Sequence, residues 1–203
     1  MVRLIGIVGA AGSGKSTVAQ YLQTHHGAKR IRLADGLKRM LRCIGLTDEQ
    51  VDGREKLQPV ALLCDHTPRH AMQTLGTEWG RRLIGKDIWV NIAVMSVTRE
   101  WMDNPEQLVV IDDVRHANEV RAIRELGGEI WVVRNPRVEP SFDWRARLRR
   151  LFRLDPPVHS SEVEWRTIKA DRMIPNIGTV ANLHATVAAA LTKANGVNDG
   201  SST

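Results

Sequence analysis

The amino-acid sequence predicts an α/β fold: a doubly wound, mostly parallel sheet with helices on both faces. Three observations carry this. Short, continuous apolar runs rich in branched side chains recur at 2–8 (VRLIGIV), 108–113 (LVVIDD) and 129–134 (EIWVVR), as strands buried on both faces require. Segments with helical spacing and recognisable ends lie between them. The chain also opens with strand, glycine-rich loop and helix in succession, the start of a βαβ unit.

The elements follow in order. The run 2–8 enters glycines at once and reads as a buried strand. After Lys15, Val18, Ala19 and Leu22 mark a helix that stops at Gly27. A second strand is expected at 29–33, then a helix over 35–44 with Asp35 as its N-cap. Thr47 and Gln50 stand at capping-box spacing. Thr67-Pro68 starts a helix that runs toward Arg82, since proline suits the first turn. A further helix covers 87–102. The 108–113 strand ends in two aspartates and leads to a helix over 118–128, with Asn118 as cap and glycines as stop. After the 129–134 strand, 135–158 is polar, basic and bounded by prolines, which predicts an inserted mobile segment. A last strand near 171–175 precedes a helix beginning near Thr179, and 194–203 reads as a disordered tail. With no repeat and no clear linker, residues 1–193 are expected to form a single domain.

Composition narrows the function classes. The chain has 203 residues, 42% apolar and 26% charged, ordinary for a globular protein. No apolar run approaches the ~20 residues that span a bilayer, and the N-terminus shows no cleavable signal pattern, so a cytoplasmic protein without membrane partners is expected. The two cysteines, Cys43 and Cys64, form no CxxC, which argues against a disulfide framework or zinc site. The net charge of +6 suits polyanionic partners, nucleotides or nucleic acid. A homodimer is compatible with all of this.

One motif decides the chemistry. Gly9-Ala10-Ala11-Gly12-Ser13-Gly14-Lys15-Ser16 matches GxxxxGK[ST] at every fixed position and sits between a strand and a helix. Glycines let backbone N–H groups turn inward and approach phosphate closely. The following helix adds its positive dipole end. Gly12, Ser13, Gly14, Lys15, Ser16 and Thr17 are therefore the candidate ATP-binding residues, with Lys15 reaching the β- and γ-phosphates and Ser16 placed to bind Mg2+. Asp112 and Asp113 close an apolar strand, where ligands gather in doubly wound sheets. Asp112 is a candidate for Mg2+, partly through water, and Asp113 for catalysis and acceptor binding.

Further islands follow in order: Leu33-Ala34-Asp35-Gly36-Leu37-Lys38, Gly53-Arg54-Glu55-Lys56, Arg69 to Trp89, Asp113-Val114-Arg115, Arg134, His159-Ser160-Ser161-Glu162, and Asn176 with Gly178. With the phosphate loop they resemble the deoxynucleoside monophosphate kinases of bacteriophages, a branch of the adenylate-kinase-like P-loop kinases, over residues 1 to about 193. The resemblance implies transfer of the ATP γ-phosphoryl group to a deoxynucleoside 5′-monophosphate in the host cytoplasm. It implies catalytic roles for Lys15, Asp113, Arg115 and Arg134. Asp35, Lys38, Arg69, Gln73, Trp89, Asp113 and His159 would bind the acceptor, with Arg69 as a bidentate clamp and Trp89 either stacking on the base or filling the core. Arg145, Arg149 and Arg153 would supply lid contacts. Departures from the family pattern are Leu33 where an aromatic residue is usual, and Ile177 where an acidic residue is usual.

Rival readings keep the loop and change the acceptor or the outcome. One is a kinase for a hydroxyl on a modified base in DNA, suggested by the basic 145–153 stretch. Another is a nucleotide-binding switch or assembly factor without kinase chemistry. A third is a kinase for a different small acceptor.

Overall fold

The computed structural model describes residues 1–138 and 168–196. They divide into two compact units, one built from Met1–Arg30 with the described residues from Glu100 onward and the other from Ile31–Arg99. Sequence alone showed no boundary at either junction.

The first unit carries the sheet. β1 (Leu4–Val8) pairs in parallel with β3 (Val109–Ile111) and with β4 (Glu129–Arg134), and β4 pairs in parallel with β5 (Arg172–Pro175). With β2 (Lys29–Ile31) at the edge, the five-stranded order is β2-β3-β1-β4-β5. Alternation along the strands sends side chains to opposite faces. Ile5, Ile7, Val110, Trp131 and Val133 pack with Val18 and Leu22 of α1 (Lys15–His26) and with Leu183 and Val187 of α7 (Val180–Gly196). On the opposite face Gly6 lies under Ile123 of α6 (Ala117–Glu125). The sheet is thus helix-covered on both faces, as the continuous apolar runs require.

The second unit is helical: α2 (Asp35–Cys43), α3 (Asp48–Val51), two turns of 3-10 helix at Arg54–Leu57 and Ala61–Leu63, α4 (Pro68–Gln73), a π-helical segment Thr74–Ile84, and most of α5 (Ile88–Asp103). Leu41, Leu46 and Val51 form its small core with Ala71, Met72 and Leu75.

Local expectations were met where the signal was local. Thr47 and Gln50 form the capping box, and Thr67 caps α4 with Pro68 behind it. Two caps are corrected. α2 begins at Asp35, its N-cap is Ala34, and the Asp35 carboxylate accepts the Arg32 backbone N–H instead. The N-cap of α6 is His116, whose N–H donates to Glu119, so Asn118 lies inside the helix. The helix after Thr67 also changes pitch at Thr74. Within that segment the Trp89 ring lies so close to Gly80 that a Cβ there would meet it at 2.5 Å.

Candidate active site

The phosphate loop leaves the carboxyl end of β1 and turns into α1. Gly14 is the α1 N-cap at φ 105 and no side chain caps the helix, so the first-turn N–H groups are left for a ligand. A Cβ on Gly14 would stand 2.5 Å from Asn176 Nδ2. Asn176 itself follows β5, is held by its N–H to Arg134 O at 2.7 Å, and donates Nδ2–H to Ser13 O at 2.8 Å. It is a brace under the loop, a role that its place in the sequence did not reveal.

Lys15 folds back over the loop, donating to Gly9 O at 2.9 Å and Ala10 O at 2.7 Å. Burial holds its ammonium below the usual lysine value, and the Arg115 charge pushes the same way. Asp112 and Asp113 oppose them. The amine is therefore a desolvated cation whose present partners are neutral carbonyls. A phosphate would supply the missing counter-charge.

Asp112, just past β3, is 5% exposed. Its Oδ2 accepts from Arg30 of β2 in a short ion pair. Its Oδ1 and the Arg30 Nε are buried without a hydrogen-bond partner among the described residues, as is Ser13 Oγ. Buried orphans are rare and need a reason. A carboxylate oxygen without a partner at the strand end, and an unpartnered hydroxyl on the loop, are the oxygen ligands that Mg2+ or its water takes, so the residues fit the ion implied by the motif. No cluster of three or more metal-ligating side chains occurs among the described residues. A Mg2+ that keeps waters and phosphates as ligands does not need one. Sequence reasoning missed Arg30; a cation inside a strand beside an acidic strand end was the available signal.

Asp113, Arg115 and Arg134 also lie at the carboxyl edge of this sheet: Asp113 and Arg115 follow β3, and Arg134 ends β4. The Arg115 and His116 backbone N–H groups both donate to the buried Glu119 carboxylate, at 2.6 and 3.0 Å, which fixes the turn carrying Arg115.

The second unit holds Asp35, Lys38, Arg69, Gln73 and Trp89. Asp35 accepts from Arg32 Nε at 3.0 Å, and Lys38 Nζ donates to Asp52 at 2.5 Å. Arg69 and Gln73 sit on α4, exposed to solvent. Of the two readings offered for Trp89, stacking on the base or filling the core, its burial fits the core. It is 3% exposed, packs against Gly80, and donates Nε1–H to Gly76 O at 2.8 Å. Its ring face is committed to packing, the usual fate of a tryptophan with a satisfied N–H. His159, Arg145, Arg149, Arg153 and most of the 135–158 lid stretch lie outside the described residues, as does the tail beyond 196.

A parallel sheet of this order, with a GK[ST] loop joining its central strand to a helix, defines the class as a P-loop nucleotide-binding α/β fold. Comparison with known proteins gives the family. A model of the deoxynucleotide monophosphate kinase family matches residues 64–145. A protein of Acanthamoeba polyphaga mimivirus, named provisionally as a deoxynucleotide monophosphate kinase, is 31% identical over 96% of this chain and 99% of its own length. The deoxynucleoside-5′-monophosphate kinase of Escherichia phage T5 is 41% identical over 59 residues, 29% of this chain and 22% of its own. Among solved structures, dephospho-CoA kinase from Campylobacter jejuni aligns over 98% of this chain and 100% of its own at TM-score 0.47 and 16% identity. Shikimate kinase from Aquifex aeolicus aligns over 97% and 99% at TM-score 0.47 and 13% identity. The chain belongs to the deoxynucleotide monophosphate kinase family. It is a nucleotide kinase.

Proposed function

We propose that this protein transfers the γ-phosphoryl group of ATP to the 5′-phosphate of a deoxynucleoside monophosphate, giving ADP and the diphosphate. The observation that carries the donor half is Lys15, a part-buried cation whose hydrogen bonds run to carbonyls of its own loop. Membership of the family supports the acceptor half.

Phosphoryl transfer asks the protein for positioning and charge stabilisation rather than covalent chemistry. The α1 N-terminus and loop N–H groups bind the phosphates. Lys15 leaves its loop carbonyls for the β- and γ-phosphates. Ser16 and Asp112 would hold Mg2+, which when bound neutralises phosphate charge. Asp113, Arg115 and Arg134 are assigned to the reacting phosphates, where fixed cations act on developing charge. In the second unit Arg69 is the acceptor-phosphate clamp, Gln73 the group offered to the base, and Asp35 with Lys38 part of the acceptor site. Trp89 supports this unit from within. Arg145, Arg149 and Arg153 remain the lid candidates, and His159 a candidate acceptor contact. Among the described residues no helix is long and apolar enough to cross a membrane.

The test is ADP release from ATP and Mg2+ against a panel of deoxynucleoside monophosphates and duplex DNA. Release that depends on a free monophosphate, with its diphosphate appearing, is the expected result. Release only with DNA moves the acceptor to a polynucleotide, and silence across the panel overturns the assignment.

A further inference from the structure

The second unit contains an ion-pair network that the donor chemistry does not use. Asp52 is its hub. Its Oδ1 accepts from Lys38 Nζ at 2.5 Å and its Oδ2 from Arg42 Nη2 at 2.6 Å, while Arg32 Nη1 stands 3.7 Å from Oδ1. Burial would raise the Asp52 carboxyl, but Lys38, Arg42 and Arg32 outweigh it and hold it below the usual aspartate value.

The arginines are arranged in a telling way. Each is gripped at Nε by an outer carboxylate: Arg32 by Asp35 at 3.0 Å, and Arg42 by Asp48 at 2.6 Å. That leaves the Nη ends turned toward Asp52. Lys38 is only 15% exposed along its side chain, so its stem is packed and its ammonium is held in place. Two carboxylate oxygens thus serve three cations, and the third contact, at 3.7 Å, is beyond hydrogen-bond reach. Three donors around one anion match a group with three terminal oxygens better than they match a carboxylate.

We propose that Arg32, Lys38 and Arg42 form a subsite for a phosphate monoester, and that the Asp52 carboxylate stands in that subsite until the phosphate displaces it. This deepens the acceptor reading above and rests on it for the identity of the monoester. The chemistry also sets selectivity. A monoester near neutral pH brings about two negative charges and three oxygens, more than the carboxylate it replaces. A backbone diester brings one charge and two free oxygens and gains nothing over Asp52. The subsite therefore favours a free 5′-monophosphate over polymerised nucleic acid.

The test uses the full chain and calorimetric titration near pH 8 with inorganic phosphate, a deoxynucleoside monophosphate and dimethyl phosphate. Wild type should bind the first two and not the third. Asp52→Asn should tighten both by about tenfold, the size of one charge-assisted contact no longer competed for, and should lower the acceptor KM with the ATP KM unchanged. Arg42→Gln should weaken both by a similar factor. If Asp52→Asn does not fold, as circular dichroism would reveal, Arg42→Gln and the wild-type ligand series decide. Unchanged or weaker binding by a folded Asp52→Asn, or unchanged binding by Arg42→Gln, overturns the proposal. If phosphate behaves as stated but no monophosphate is turned over, the subsite stands and the acceptor reading falls. If monophosphates are turned over with an unmoved KM in Asp52→Asn, the reverse holds.

Discussion

Replacing Arg30 by Met would leave Asp112 as a buried carboxylate without its ion-pair partner. Asp112 is 5% exposed and the Arg30 side chain 22%, so solvent screens neither end well. Removing one partner of a buried pair costs about 3–5 kcal/mol, because the remaining charge is uncompensated. Lys15 also feels the Asp112 charge and supplies part of the missing field, which places the cost near the lower end. At roughly 2–4 °C per kcal/mol for a chain of this size, Arg30→Met should melt about 6–12 °C below wild type. Asp112→Asn in the same background should recover much of this, since the uncompensated charge is then gone. Thermal unfolding of wild type, both single variants and the double variant, followed by circular dichroism at one pH, gives the coupling directly. A melting point for Arg30→Met within about 2 °C of wild type, or additive single effects, would refute the argument that this pair is a desolvated structural unit.

Other predictions follow from single contacts. Lys15→Met should lower turnover by about two to three orders of magnitude, the scale of a lost charge-stabilising donor; unchanged turnover in a steady-state assay would remove Lys15 from the chemistry. The lowered Lys15 value also sets two opposite pH slopes. Between it and the ordinary 10.5 the unfolded chain binds more protons, so the Lys15 contribution to stability rises with pH. Bound phosphate raises the same pKa, so nucleotide affinity is full below the free-protein value and falls as pH rises through it; calorimetry on the alkaline side should record proton uptake on binding, absent in Lys15→Met. Asn176→Ala removes the bond to Ser13 O and should cost about 1 kcal/mol while weakening ATP more than the acceptor, measured as separate KM values. Trp89→Phe should cost stability by a similar amount through the lost bond to Gly76 O, and Trp89 emission, isolated in a background lacking the other tryptophans, should stay unchanged when a monophosphate binds.

Much of the fold was legible because its signals are local. Continuous apolar runs such as 129–134 say "strand buried on both faces" without reference to any partner, and that element appears with the same bounds. Thr47 with Gln50, and Thr67 with Pro68, announce helix starts through bonds that close within one turn. Misreadings arose where a partner side chain, near or far in sequence, decided. Asp35 looked like a cap, yet its carboxylate turns to Arg32. The helix after Thr67 looked regular, yet from Thr74 it is π-helical, with the Trp89 ring against Gly80. The same ring, open to two readings from the sequence, is buried because Gly80 leaves room for it and the Gly76 carbonyl accepts its N–H.

What the sequence by itself determined is the loop to which we assign the donor phosphates. The residues from Gly9 to Ser16 form their loop through backbone conformations and neighbouring N–H groups, so the phosphate cradle is written in consecutive positions. Tertiary structure alone decided how that site is braced and charged. Arg30 reaches Asp112 from 82 positions away, and Asn176 reaches Ser13 from 163. Lys38 and Arg42 close on Asp52 only once α2 and α3 pack. A side chain's charge is known from its letter, but its partner depends on which elements the core brings side by side, and no local rule of the backbone carries that information.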